Sequence, residues 1–440
     1  MRARTADTNH VHHRSPGSGG RGQPANIGPA FEAKPIRTQE STTKPALSPQ
    51  ERRSVGALAA IYATRMFGLF LMLPVLALYA RGLPDYSPLL LGLAMGAYGL
   101  TQALLQIPFG RWSDRLGRKP VITIGLLLFA LGSLIGALSS SVAWLIAARC
   151  VQGAGAVSAA VSALLADLTR PEVRTRAMAF VGISIGLSFV LSLVLGPVLE
   201  AVVGVSGIFV MMLLMAVAGL VLLRFAVPDE PPRGAGSDAP SLSVLLELLV
   251  RPSLAPLYAG MFVLHFLITA TFIAVPPVLV TDLGLASAGH WKVYLGVFVA
   301  SLAGTIPLIM ATERTKVGPA LLVVAVLLAA VSQAALGRWH GSLWMFLGAL
   351  TLFFAAFNYL EARLPALLTL AASSTERGAA LGIFATAQFL GAFAGGALGG
   401  VLLGRFGLPG VFWGGAVLGV AWAGIAGLSG RTSAFQRERA

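Results

Sequence analysis

The sequence predicts an all-α integral membrane protein, with twelve transmembrane helices arranged as two six-helix bundles. Three observations point to it. Of 440 residues, 56% are hydrophobic and only 11% are charged, whereas a soluble domain carries about 25% charged residues. Twelve apolar runs each approach the ~20 residues that a helix needs to cross ~30 Å of hydrocarbon. The apolar pattern breaks once decisively, near 226–253, and leaves six runs on either side. The 51 glycines suit this class, because small residues let helices approach closely in lipid.

The first six spans run roughly 54–80, 89–109, 120–138, 142–164, 177–199 and 207–225. The second six run roughly 254–276, 292–312, 319–336, 342–364, 378–402 and 411–428. Bundles at 53–226 and 254–428 follow. Residues 1–52 are rich in Pro, Gly, Ser, Thr, His and Arg and have no apolar run. They therefore read as a disordered basic tail and not as a secretory signal, which needs an apolar core. His10, His12 and His13 in that tail read as solvated; metal binding is the alternative. Segment 227–253 is a linker opened by Pro-Asp-Glu-Pro-Pro-Arg, in which Ser241 to Val250 reads as a short amphipathic helix on the inner surface. Residues 429–440 form a second tail.

Basic residues set the orientation. Most of the 32 fall on the N-terminal side of the bilayer, and the opposite side holds only Arg81, Lys292, Arg338 and Arg405. Both termini are predicted to be cytoplasmic. The net charge of +14 is spread over short loops and is not gathered on one folded module, so a nucleic-acid partner is not expected. Cys150 is the single cysteine, which excludes an intramolecular disulfide and a cysteine-based metal cluster. No phosphate-binding Gly-rich loop, H-E-x-x-H or G-x-S-x-G pattern occurs. The expected partners are a small-molecule substrate and the lipid bilayer, with no cofactor, no metal and no enzymatic reaction.

The most informative segment lies between spans 2 and 3: Gly110-Arg-Trp-Ser-Asp114-Arg115-Leu-Gly117-Arg118-Lys119-Pro120. A basic turn after a span can anchor a helix end. The spacing of Gly110, Asp114, Gly117 and Arg118 is more specific than anchoring needs. Gly110 permits close packing, Gly117 supplies a backbone geometry that other residues avoid, and a carboxylate such as Asp114 is favoured beside a helix N-terminus. In span 4, Arg149-Cys-Val-Gln152-Gly153-Ala-Gly155 places an arginine inside the bilayer, where it needs a partner or a water-filled cavity; snorkelling is the alternative. Arg65 lies near the middle of span 1. Arg65 and Arg149 would make the N-terminal half electropositive, so that an anionic substrate or a paired carboxylate follows. Glu361, in Phe357-Asn358-Tyr-Leu-Glu361, is the acid clearly within a span. It reads as a proton carrier, or as a structural partner of Arg363. His265 lies mid-span in span 7 and either titrates or simply bonds a neighbouring helix. Glu200 reads as solvated. Span 11 carries Gly391, Gly395 and Gly399 at intervals of four, with Gly396 and Gly400 offset by one, a tight packing face.

The turn at Gly110–Lys119 resembles G-x-x-x-D-R-x-G-R-K, the loop between helices 2 and 3 of the major facilitator superfamily of secondary transporters. The Arg149 segment resembles that family's R-x-x-Q-G-x-G-A. Stretches beginning at Arg65, Gly99 and His290, with those around Glu361 and Gln388, resemble the YajR-like inner-membrane transporters of bacteria. The resemblance implies the major facilitator fold, a bacterial inner (plasma) membrane location, a functional monomer and proton-coupled antiport, with efflux of a small molecule by alternating access. Proton symport or uniport of a small organic anion or metabolite is the alternative. It implies that Asp114 faces span 11, that Arg118 pairs with Asp167, that the cluster closes the cytoplasmic side, and that spans 1 and 4 line the cavity. It also implies a part in proton transfer for Arg149. Gly182, Gly186, Gly196 and Pro197 resemble the antiporter signature in span 5, although Glu200-Ala201 replaces its final glycine pair. The second half lacks the D-R-x-G-R core at Ala311–Gly318, and no soluble domain of the kind found in this branch follows span 12 in the sequence.

Overall fold

The computed structural model describes residues 46–229, 241–314, 318–373 and 375–429. The tails as far as residue 45 and from residue 430, with their histidines, and the middle of the central linker lie outside the described residues, as does Lys316.

Helices follow the apolar runs. Span 1 comprises Pro49–Leu71 and, after a break, Leu76–Arg81. Span 2 is Pro88–Leu116, span 3 Arg118–Ala137, and span 4 the pair Val142–Ala154 and Ser158–Asp167. Pro171–Phe225 is a single run of 55 residues, about 80 Å at 1.5 Å per residue and far too long for one crossing. It divides at Gly204, where φ is 67°. Glu51 accepts a hydrogen bond from Arg170 at the start of this run, and nearby Arg53 donates to the Phe225 carbonyl at its end (2.7 Å). Both ends therefore lie beside the start of span 1, and the run is two antiparallel spans, 5 and 6.

The second half repeats the plan. Leu242–Val250 is a surface helix capped by Ser241. It buries Leu245 and Leu248 and exposes Leu246, Leu249 and Val250. Spans 7 to 10 are Ala255–Thr281, His290–Arg314, Gly318–Arg338 and Leu343–Ala371. Arg377–Ser429 again contains two spans, 11 and 12, divided at Gly407. Its first arm runs along span 7, with Gly391 against Phe262 and Gly399 against Ala270. Its second returns past the same helix, with Gly415 against Leu267 and Trp422 against Gly260.

Each half is tied at the end that carries the charged turn. In the first, Arg170, just before span 5, donates from Nε to Glu51 Oε1 (3.0 Å), while Glu51 also completes a capping box with Ser48. In the second, Arg251, just before span 7, forks onto Glu376, just before span 11, with both bonds 2.9 Å. Arg251 and the Ser373 hydroxyl hold the Glu376 carboxyl down at about 2. The two clasps occupy matching places with their signs exchanged. At the opposite, far end, Asp85 accepts from the Val142 and Ala143 amides (2.6 and 3.0 Å), capping span 4.

The halves meet at the far end. Gly92 and Gly96 of span 2 lie directly against Gly396, Gly400 and Phe393 of span 11, leaving no room for a Cβ on either side. A continuous apolar core follows the same division. The far-end core of the first half, including Leu76, Met95 and Phe189, merges with the core of the second half. The first half's charged-end core, including Leu58, Val121 and Leu164, forms a cluster of its own.

Candidate functional site

Three polar clusters are positioned by this frame. The first is the charged turn. Gly117 adopts φ 103°, a conformation costly for residues with a Cβ, and lets span 3 begin directly after span 2. That reversal brings Arg118 back over the last turn of span 2. Its Nη1 lies 2.5 Å from Asp114 Oδ1 and 2.6 Å from Ser113 Oγ, while its Nε lies 3.4 Å from Asp167 Oδ2 at the end of span 4. Lys119 reaches Asp229 beyond span 6 at 2.8 Å, and the Asp229 carboxyl is held below its ordinary range by that ammonium. Arg115 is exposed. The turn thus binds spans 2, 3, 4 and 6 of one half. Gly110 is not a close-packing site: an added Cβ would lie an ordinary 3.6 Å from that of Ala159.

The second cluster lies inside the first bundle. Arg65 is 0% and Arg149 2% exposed. Arg65 Nη2 donates to Tyr98 Oη (2.8 Å) and to Gln102 Oε1 (3.1 Å). Arg149 Nη1 donates to Gln152 Oε1 (3.0 Å), its guanidinium sits 5.0 Å from the Tyr98 ring centre, and Gln152 continues to Ser133 of span 3 (2.9 Å). Gly153 presses on the Tyr98 carbonyl, which lets span 4 approach span 2. Arg149 does not snorkel, and neither arginine faces an open cavity in this state. Among the described residues no carboxylate pairs with either one, and Arg65 Nε and Nη1 and Arg149 Nε lack hydrogen-bond partners. An arginine at the centre of a bilayer costs about 2.5–3.5 kcal/mol or more. A cation–π contact of about 0.5–2 kcal/mol and a few bonds to neutral groups compensate only in part, so the bundle keeps two positive charges without an internal counter-charge.

The third cluster spans helices 7, 10 and 11. His265 Nδ1 lies 3.3 Å from the Met261 carbonyl of its own helix. Its Nε2 lies 2.7 Å from Gln388 Nε2 of span 11 and 3.8 Å from Glu361 Oε2 of span 10. The Glu361 side chain is 36% exposed, yet its Oε2 is buried without a hydrogen-bond partner. Phe357, one turn before Glu361, lies 6.1 Å from the imidazole and stacks at 5.9 Å on Phe189 of span 5, linking the two halves beside the cluster. Asn358 donates to Ser301 of span 8 at 3.2 Å and stands apart from the imidazole contacts.

The span 5 and span 11 glycines divide in use. Gly196 abuts Pro74 and Leu71 at the break in span 1, and Pro197 beside it is buried. Gly182 and Gly186 do not act as packing positions: an added Cβ at either would meet nothing within 4 Å. Gly391, Gly395 and Gly399 pack on span 7, whereas the offset pair Gly396 and Gly400 packs on span 2. The helix face nearest the first half is therefore the offset one. The sequence pattern does not mark Tyr98, Gln102, Asp229 or Gln388 as site residues. Their common signal is a polar residue beside or within an apolar run, which says nothing about the side it faces.

Residues 58–319 match the Major Facilitator Superfamily. The chain belongs to that superfamily. It is 41% identical over 384 residues to the Inner membrane transport protein YajR of Escherichia coli (strain K12), covering 86% of this chain and 84% of that protein. Its fold is similar to that of a bacterial homologue of the human lysosomal transporter Spinster in an inward-facing, occupied conformation (TM-score 0.72, 16% identity, 90% of this chain and 99% of that one). It is also similar to the human organic anion transporter MFSD10 (TM-score 0.63, 22% identity, 86% and 100%). Major facilitator membership makes this a multi-pass membrane protein and a secondary transporter.

Proposed function

We propose that this major facilitator is a proton-coupled antiporter of the bacterial inner membrane that exports a small organic anion by alternating access, with both termini cytoplasmic. The observation that carries the proton reading is the Glu361–His265 pair, an acid and an imidazole 3.8 Å apart inside the membrane with the facing carboxylate oxygen unbonded. Two titratable groups sharing a buried site can exchange and release one proton per cycle. The anionic cargo is supported by Arg65 and Arg149, which lack a carboxylate partner within the protein. The organic anion transporter among its structural relatives is consistent with that chemistry. With the charged turn on the cytoplasmic side, far-end contact between spans 2 and 11 corresponds to an inward-open state.

Proton movement in everted membrane vesicles tests the proposal. A pH-sensitive dye should report collapse of a preset gradient on addition of a small aromatic carboxylate or dicarboxylate, and no response to organic cations or sugars. Glu361→Gln should lower the response at least tenfold with unchanged protein in the membrane. Collapse by cations alone would refute the anionic cargo. Anion uptake that dissipates no proton gradient would refute the coupling and favour uniport.

A further inference from the structure

The third cluster carries one step beyond this. A carbonyl oxygen only accepts hydrogen bonds, so the 3.3 Å approach of His265 Nδ1 to the Met261 carbonyl places a hydrogen on Nδ1. In the neutral ring Nε2 is then a bare acceptor, and the Gln388 amide nitrogen, 2.7 Å away, donates to it. Glu361 Oε2 waits 3.8 Å from that same nitrogen with no partner of its own. The groups that face the imidazole are these: Glu361 and the Phe357 ring from span 10, Gln388 from span 11, and the carbonyl of Met261. Arg363, two residues beyond Glu361, is the next charge on span 10.

We infer that Gln388 is a positioning residue for proton transfer: by donating to Nε2 it keeps the hydrogen of neutral His265 on Nδ1 and so presents a proton-accepting nitrogen to Glu361. The step balances with one proton. Protonated Glu361 gives its O–H proton to Nε2 as the Gln388 amide swings aside. The products are an imidazolium with hydrogen on both nitrogens and a carboxylate that accepts from Nε2–H. The reverse transfer restores the carboxylic acid and the Gln388 bond. Without Gln388 the carboxylate would draw the single hydrogen of the neutral ring onto Nε2, since a charge-assisted bond to Glu361 is stronger than a neutral bond to Met261. The nitrogen facing the acid could then accept nothing.

This inference rests on the proton-coupled reading, and a measurement of tautomer separates the two. Full-length protein carrying ring-15N histidine, reconstituted in lipid nanodiscs, gives distinct nitrogen shifts for the two neutral forms. The signal of His265 is identified by its loss in His265→Asn. At alkaline pH the native protein should show mainly the Nδ1–H form, the minor one for free histidine, and Gln388→Leu should reverse the ratio by about fivefold or more, as expected for the loss of one hydrogen bond. A native spectrum dominated by Nε2–H would overturn the inference. So would a Gln388→Leu spectrum unchanged from the native one. The native spectrum decides on its own if the variant does not fold. Reversal of the tautomer in a protein that moves no protons in vesicles would sink the coupling, and with it the transfer step, and leave only the control of the tautomer by Gln388 in place.

Discussion

Arg118 holds Asp114, Ser113 and Asp167 at once, so the turn is a bracket whose centre is one guanidinium. Asp114 shares that cation, and we propose that it also meets span 11 when the other side opens. Asp114→Asn keeps the shape of the side chain and removes its charge. The expected outcome is loss of vesicle transport at least tenfold, with a monodisperse detergent-solubilised protein; transport at the native rate would show that the carboxylate has no gating role. The Arg118–Asp167 proximity follows from the family resemblance, since the spacing within the turn says nothing about the end of span 4. The role of Gln388 was not legible, since one glutamine in an apolar helix has no periodic partner to reveal which neighbour it faces. The sequence places Arg65 mid-span and leaves snorkelling open for Arg149; their enclosure beside Tyr98 and Gln102 depends on how spans 1, 2 and 4 pack.

Asp85 shows how a single loop residue governs an element. It accepts from two otherwise unpaired amides at the N-terminus of span 4, as a capping carboxylate does, and those donors hold its pKa below the ordinary value. A depressed carboxyl contributes stability that is present above its unfolded pKa of about 3.9 and is lost as pH falls through the lower folded value. Asp85→Ala should therefore melt a few degrees below the native protein near neutral pH in a thermal scan in detergent. The gap should narrow when both are scanned below about pH 4. Gly396 is a second such position. Gly396→Val would force its side chain into the backbone of Gly92 and Gly96 and part spans 2 and 11. Spin labels at Gly82→Cys and Ala288→Cys, in a Cys150→Ser background, should move several ångströms farther apart in the variant; an unchanged distance would mean that the far-end seal does not depend on this contact. The apolar runs made the spans legible one by one. The sequence could not show which of two interleaved glycine rows would meet the other half, because both have the same spacing.

Across the described residues, contact at the far end and a separate first-half core at the charged end fit one of the two states that the proposed alternating access requires. The six-plus-six plan was legible because a ~20-residue apolar run has few ways to satisfy its backbone in lipid. The conformational state was not, since both states use the same helices and differ only in which ends touch. Co-reconstitution with a far-end-opening variant such as Gly396→Val offers a direct comparison: if closure of the far end is part of the cycle, that variant should bind cargo yet transport it at less than a tenth of the native rate.

The two clasps have opposite polarity, Glu51 with Arg170 in one half and Arg251 with Glu376 in the other. Helices of two similar bundles, inserted one after another from the same chain, could in principle nest with the wrong neighbours. A first-half start laid against the loop before span 11 would set Glu51 beside Glu376. A second-half start laid against the loop before span 5 would set Arg251 beside Arg170. Each mismatch brings like charges together where the correct pairing brings opposite ones. The reversal therefore makes the correct pairing within each half the electrostatically favoured one.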